Sequence, residues 1–119
     1  MRIKANKNFP AIHAASERSS ETRYRRIKEL FDRLNKPNRF TKGQFVKWKP
    51  DLRNKAFPDY GEPAIVMAVL SEAIFDPSEN SAASPYFREP LTIIIGTYAD
   101  DDLVEFYVDG RRFEPIQPL

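Results

Sequence analysis

The sequence contains no cysteine, one histidine and only four glycines among its 119 residues. Without cysteine, disulfides and thiolate metal sites are excluded, and the composition favours a cytoplasmic protein. A catalytic pair of a nucleophile and a histidine could use only His13, the single histidine. The scattered glycines form no phosphate-binding loop. No stretch has the roughly 20 apolar residues that a membrane helix needs, so we expect no membrane-spanning segment.

Carboxylates are the remaining groups that could take part in catalysis, but their spacing does not favour a metal site or acid–base catalysis. Asp100, Asp101 and Asp102 are adjacent in the sequence, whereas the oxygen ligands of Ca²⁺ or Mg²⁺ usually come from alternating positions or several segments. No pair of carboxylates stands out for acid–base work. We therefore predict a protein that is not an enzyme, with no cofactor and no metal site. A metal-dependent hydrolase that uses the acidic turn is the weakest alternative.

Positive charge is concentrated in the first half of the chain. Residues 1–55 hold 16 Lys/Arg against five Asp/Glu, whereas residues 56–119 hold three against 12. Such asymmetry is typical of a surface that faces nucleic acid or another protein. The two halves can equally neutralise each other within one fold. The candidate phosphate-binding residues are Arg18, Arg23, Arg25, Arg26, Lys28, Lys47, Lys49, Arg53 and Lys55.

One amphipathic helix is predicted over residues 16–35, after a flexible basic arm formed by residues 1–15. Ser19 or Ser20 could cap its first turn, and apolar residues recur within it at spacings of three and four. We expect this apolar stripe to dock on the rest of the domain, and the alternative is a dimer seam or a partner-binding face. The stripe consists of Tyr24, Ile27, Leu30, Phe31 and Leu34.

Five strands are predicted in the remainder of the chain. The first alternates, so that Val46 and Trp48 face the core while Lys47 and Lys49 face away. Gly96, inside an apolar run, indicates a bulge or a sharp bend. Together with the helix, these strands predict one domain over residues 16–119, of the α+β class and mainly β. The predicted strands span residues 45–49, 64–70, 91–98, 103–108 and 111–116.

Turns and long loops separate these strands. Ala99–Asp102 is predicted to be a hairpin turn. Pro50–Pro63 and Ser71–Pro90 are loops of 14 and 20 residues, and structureless loops of the second length are often functional or mobile. Asp109-Gly110 indicates a further turn before the last strand.

This order of strands and loops resembles the SH3-like small barrel, including its Tudor and KOW relatives, over residues 41–117. The resemblance implies a five-stranded SH3-like barrel that serves as a binding module, with ligands held between the two long loops. It also implies that Asp109–Arg112 is the short helical turn before the last strand. The acidic-loop and tryptophan signatures of peptide-binding SH3 domains are absent, since Trp48 lies in the first strand.

Loop aromatics and a pair of arginines form the candidate partner-binding site. Aromatic faces accept proline-rich segments, cationic groups or unstacked bases, and the guanidinium fork of arginine pairs with carboxylates and phosphates. The alternative is structural: the aromatics pin the loops, and one arginine ties the last strand to Asp109, Glu105 or the helix. The candidates are Phe57, Tyr60, Phe75, Tyr86, Phe87, Arg111 and Arg112.

The function predicted from these patterns is recognition of a protein partner by a non-catalytic module, present as a monomer or a weak dimer within a larger complex. One alternative is sequence-tolerant nucleic-acid binding through the basic half. Another is an inhibitor or accessory subunit of a nucleic-acid-handling complex, whose acidic half mimics phosphate.

Overall fold

The computed structural model describes the backbone of residues 9–117 and the side chains of residues 19–117. The chain divides between Arg33 and Leu34 into two compact units, and each is described by itself. The first holds most of the α-helix seen in the described residues, and the second, called the sheet unit below, holds the described strands. The predicted class, α+β and mainly β, is confirmed.

The helix, α1, spans Phe9–Asn35 and starts seven residues before the predicted start at residue 16. The helix thus includes residues 9–15 of the predicted arm, and residues 1–8 lie outside the described part of the chain. Pro10 is compatible with a first helical turn, where no intrahelical partner exists for its missing N–H. The alanines that follow have the highest helix propensity. The predicted caps, Ser19 and Ser20, consequently lie inside the helix.

The apolar stripe of α1 contains three large exposed side chains, Tyr24, Ile27 and Phe31. Ion pairs lie alongside it: Arg26 Nη1 is 3.4 Å from Glu29, and Lys28 Nζ is 2.8 Å from Asp32. Exposed pairs at these helical spacings stabilise a helix by only about 0.3–0.5 kcal/mol each. Docking of the stripe stays a prediction.

The sheet unit contains one antiparallel sheet in the order β4-β3-β2-β1-β5. Within residues 9–117, β4 and β5 do not pair with each other, so the sheet is not closed and the predicted barrel is not confirmed. A short 3₁₀ helix at Gly110–Arg112 precedes the last strand. The strands are β1 Phe45–Trp48, β2 Ala64–Ile74, β3 Leu91–Ala99, β4 Asp102–Val108 and β5 Phe113–Pro115.

The hydrophobic core lies on one face of this sheet. Phe113 is fully buried, and its ring stacks on Trp48 with 4.2 Å between the ring centroids. The indole Nε1 of Trp48 donates to the carbonyl oxygen of Pro58 at 2.6 Å, which satisfies its buried donor. Phe40 and Phe106 pack at the rim. The core residues are Val46, Trp48, Ala64, Val66, Ile93, Ile95, Val108 and Phe113.

Lys49 corrects the predicted alternation of β1. Its side chain was expected to face away from the core, but the residue is only 2% exposed, because β1 ends at Trp48 and the chain turns there. The ammonium donates to the carbonyl oxygen of Lys36 at 2.9 Å. Burial lowers the pKa of Lys49, since removal from water disfavours the charged form, although Glu114 and Asp109 act in the opposite direction.

Gly96 lies close to the ends of two flexible side chains and has no bulge of its own. A Cβ at this position would lie 2.8 Å from Leu103 Cδ1 and 3.0 Å from Met67 Sδ. The register shift lies in the facing strand β2, between Val66 and Ala68. The predicted irregularity was therefore placed in the wrong strand of the pair.

Strand β2 is longer than predicted and shortens the second loop. It continues through residues 71–74, and after a second register shift Ile74 pairs with Leu91 at the start of β3. The stretch between β2 and β3 contains hydrogen-bonded turns, such as Phe87 N to Ser84 O at 3.1 Å. The second loop, residues 75–90, is therefore ordered by its own hydrogen bonds.

The predicted hairpin turn is confirmed and links Ala99 to Asp102. Asp100 and Asp101 both have positive φ, at 51° and 65°, which two-residue hairpin turns require and which glycine adopts more readily. We expect Asp101→Gly to raise the free energy of unfolding by about 0.5–1 kcal/mol, measured by urea denaturation, because relief at the positive φ outweighs the loss of the exposed hydrogen bond from the Tyr98 hydroxyl. Asp102→Gly, in the extended strand, is the control and should lower stability. A loss of stability in Asp101→Gly would contradict this account.

Candidate functional site

The two long loops meet at the carboxylate of Glu89, whose side chain is only 8% exposed. Lys55 Nζ donates to Glu89 Oε1 at 2.7 Å, and Asn54 Nδ2 donates to Oε2 at 2.8 Å. Arg112 Nε lies 3.9 Å from Oε2, within ion-pair distance but without a hydrogen bond. A buried carboxylate needs such partners, because its charge loses the solvation of water. These contacts hold the second loop against the first.

Tyr86 and Arg112 add further connections. The Tyr86 hydroxyl donates to the carbonyl oxygen of Asn54 at 2.8 Å, and the ammonium of Lys55 lies 4.3 Å from the centre of the Tyr86 ring. An ammonium over an aromatic face is attracted by the ring quadrupole. Arg112 Nη1 donates to the carbonyl oxygen of Leu52 at 3.1 Å and so ties the 3₁₀ helix to the first loop.

A cavity of about 430 Å³, called the loop cavity below, opens beside this junction. It is bounded by the end of β2, the second loop, the start of β3 and Tyr107 of β4. Aromatic, aliphatic and proline side chains form most of its wall. Its lining residues are Lys55, Ile74, Phe75, Asp76, Pro77, Glu79, Tyr86, Glu89, Leu91 and Tyr107.

Acidic groups outnumber basic groups in the loop cavity by three to one. The one cation, Lys55, is already paired with Glu89. The Asp76 carboxylate accepts hydrogen bonds from the hydroxyl of Ser78 at 2.7 Å and from its backbone N–H at 2.9 Å. These bonds lower the pKa of Asp76, so the carboxylate is ionised at neutral pH. Carboxylates beside aromatic faces favour a cationic group with an apolar stem.

The structure divides the predicted loop aromatics into two sets. Phe75 and Tyr86 line the loop cavity, whereas Phe57, Tyr60 and Phe87 do not. The Phe57 ring stacks near Phe106, with 6.2 Å between the ring centroids. The hydroxyl of Tyr60 accepts a hydrogen bond from the backbone N–H of Arg53 at 3.1 Å.

Arg111 and Arg112 both make contacts within the fold. Arg111 donates through Nε and Nη2 to the buried carboxylate of Asp109, the shortest distance being 2.8 Å. Asp109 also accepts from the backbone N–H of Arg111 at 3.0 Å and so caps the 3₁₀ helix. This pairing raises the pKa of Arg111. The side chain of Arg111 is nevertheless 46% exposed, which leaves part of its guanidinium accessible.

Several of the predicted phosphate-binding cations are bound inside the sheet unit. Lys49 is buried, Lys55 pairs with Glu89, and Arg53 donates to two backbone carbonyl oxygens and to Asp59. Lys47 is half-buried. On α1, Arg26 and Lys28 form ion pairs, Arg23 and Arg25 are exposed, and the side chain of Arg18 lies outside the described part.

Three residues that line the loop cavity or hold the loops beside it were not predicted. Glu89 and Asn54 carry no local sequence signal, since their roles depend on contacts between segments 34 or 35 residues apart. Tyr107 lies in the strand predicted over residues 103–108, and the pattern of a single strand could not show that the second loop would lie beside it.

Among the described residues there is no group of three or more His, Asp or Glu side chains placed to hold a metal ion. Asp100, Asp101 and Asp102 thus form no such group. No helix within the described residues is both long and apolar enough to cross a membrane. No protein-family model matches the sequence, and no match was found among curated proteins or solved structures.

Proposed function

We propose that the protein is a non-catalytic binding module that holds a segment of a partner protein in the loop cavity. The occupant is a lysine or arginine side chain flanked by apolar residues. The observation that carries this proposal is the joint lining of one cavity by Phe75, Tyr86, Tyr107 and an excess of carboxylates. A cation entering it gains aromatic and ionic contacts, while its neighbours contact the apolar wall.

Order in the loops further supports binding at this position. The hydrogen bonds that converge on Glu89 and the bond from Tyr86 to Asn54 hold the walls before any partner arrives. A partner then loses less free energy to the ordering of flexible loops. The ammonium of Lys55 lies over the Tyr86 ring and the guanidinium of Arg88 lies 4.6 Å from the centre of the Phe75 ring, so Tyr107 offers the more accessible aromatic surface.

We also propose that the strand order belongs to the SH3-like type. The supporting features are β1 flanked by β2 and β5, the meander from β2 to β4, and the 3₁₀ helix before β5. The resemblance implies a ligand between the two long loops, and in support of it the loop cavity is lined by Lys55 of the first loop and by several residues of the second.

Peptide arrays probed with the labelled protein test the proposed function. We expect retention of peptides with Lys or Arg beside apolar residues, and a loss of affinity of about tenfold or more in Tyr107→Ala. Tyr107 is suited to this test because its side chain is 48% exposed and truncation should not disturb the core. Glu79→Gln should weaken binding less, because it removes one of the three acidic charges.

Phe45→Ala is the matched control, since Phe45 is an exposed aromatic on β1 outside the loop cavity. Its peptide binding should equal that of the wild type. Retention that is unchanged in Tyr107→Ala, or a preference for acidic over basic peptides, would contradict the proposal.

Nucleic-acid binding and a role as an accessory subunit are the alternative functions. A cytoplasmic location stays a prediction. Among the predicted phosphate contacts whose side chains are described, Arg23, Arg25 and Lys28 are exposed. A salt series with random single- and double-stranded nucleic acid separates these alternatives from the main proposal, because phosphate contacts weaken steeply with salt.

A further inference from the structure

A second cavity in the sheet unit has the opposite charge to the loop cavity. It measures about 550 Å³ and lies between residues 34–40, the start of β3 and the 3₁₀ helix. Three cations line it, and its described lining includes no Asp or Glu. We call it the basic cavity. Its lining residues are Leu34, Asn35, Lys36, Pro37, Asn38, Arg39, Phe40, Val69, Leu70, Thr92, Ile93, Gly110 and Arg111.

The fold holds these cations in place. The guanidinium of Arg111 is fixed by the buried carboxylate of Asp109 at 2.8 Å. The carbonyl oxygen of Lys36 accepts a hydrogen bond from the buried ammonium of Lys49. Asn38 Nδ2 donates to the carbonyl oxygen of Phe113 at 3.2 Å. The segment that carries Lys36 and Arg39 is thus tied to the core. A preformed group of cations favours an anionic occupant.

The wall of the basic cavity is partly apolar, so its occupant must also carry apolar side chains. Phe40, Val69, Leu70 and Ile93 contribute side chains to it, and Val69 is 50% exposed. An extended phosphate backbone would find no continuous basic track there, since Lys49 is buried. The occupant that fits is a short protein segment with both carboxylates and apolar side chains.

Such a segment occurs in the chain itself, at the turn between β3 and β4. Asp100, Asp101 and Asp102 form its tip, and Tyr98 and Leu103 flank them with 72% and 61% of their surfaces exposed. The three carboxylates are opposite in charge to Lys36 and Arg39 of the basic cavity, whereas the charge of Arg111 is already balanced by Asp109. The two exposed side chains match the apolar wall of the cavity. Exposed apolar side chains beside a charged turn indicate an interaction surface.

The turn cannot reach the basic cavity of its own molecule. Thr92 lies in the cavity and Ala99 lies at the turn, which places the two features at opposite ends of β3. Seven residues of extended strand separate them by about 23 Å. The occupant must therefore come from another molecule. Two copies that exchange their turns make the same contact twice, and such a reciprocal pair closes as a twofold dimer.

We infer that the protein associates with itself by placing the acidic turn of one copy, Tyr98–Leu103, in the basic cavity of a second copy. Both contacts together bury a small area, so the association is weak, with a dissociation constant on the order of 10–100 μM. It weakens as salt rises, because exposed charges contribute to it. This contact is independent of the loop cavity.

Sedimentation velocity of the full chain over a range of concentrations tests the inference. The wild type should show concentration-dependent association, and Arg39→Glu and Asp102→Arg should each weaken it about tenfold or more. Asp102 is chosen because it lies in extended strand, whereas Asp100 and Asp101 have positive φ. Lys42→Glu and Glu72→Arg are matched charge reversals at exposed positions outside both features, and they should leave the association unchanged.

A mixture of the two variants gives the sharpest result. Arg39→Glu keeps its acidic turn and Asp102→Arg keeps its basic cavity, so wild-type contacts can form between the two variants. The reversed cavity and the reversed turn are also complementary to each other. The mixture should therefore associate more strongly than either variant alone. A wild type that is monomeric at every concentration would overturn the inference, and so would association that neither reversal changes.

Discussion

Replacing Glu89 by alanine is expected to lower the free energy of unfolding by about 2–3 kcal/mol. The Glu89 carboxylate is almost fully buried and is the common partner of Lys55, Asn54 and Arg112. Its removal leaves two cations without their counter-charge. The loss lies below the range for fully buried pairs, because the side chains of Lys55 and Arg112 are 28% and 25% exposed. Urea denaturation measures this loss.

The same substitution should weaken peptide binding, because Glu89 connects the two loops that frame the loop cavity. Glu89→Gln retains a hydrogen-bond acceptor for Asn54 without the charge, and it should show a smaller loss of stability. Glu72→Ala, at an exposed position on β2, is the control and should change stability by less than about 0.5 kcal/mol. Equal stability of Glu89→Ala and wild type would mean that this charge cluster does not hold the loops.

Replacing Phe113 by alanine should have the larger effect on stability, with a loss of about 3–5 kcal/mol. The Phe113 side chain is fully buried and stacks on Trp48, so its removal leaves a cavity beside the indole. Since β5 has only three residues, Phe113 is its main attachment to the core. The fluorescence of Trp48, the single tryptophan, reports unfolding in a urea titration.

Two variants make the Phe113 measurement specific. Phe113→Leu keeps much of the buried volume and should lose only about 1–1.5 kcal/mol. Phe45→Ala removes a ring that is 41% exposed and should lose less than about 1 kcal/mol. A loss below about 1 kcal/mol in Phe113→Ala would contradict the assigned core.

Strand prediction was most accurate where the information is local. The apolar run of β3, the strand β4 and the acidic turn between them all lie within a few residues of sequence, and the structure confirms each. The start of α1 was misplaced because Pro10 was read as part of an irregular arm. Residues 71–74 were assigned to a loop, because their strand pairing depends on a register shift opposite β3.

The loop cavity was only partly predictable. Phe75 and Tyr86 were among the candidates, since the loops that carry them could be recognised. The sequence could not show which loop residues would face each other, because that depends on how segments more than 30 residues apart pack. Glu89 and Tyr107 were missed for this reason.

The sequence by itself determined the class of the fold, the pattern of its strands and the acidic turn, because these follow from side-chain alternation and turn chemistry. Only the tertiary structure decided how the charges are used. Lys49, Arg53 and Lys55 look like free cations in the sequence, yet folding places each beside a carbonyl oxygen or a carboxylate. Burial makes such pairing necessary, because a charge removed from water is stable only beside a partner.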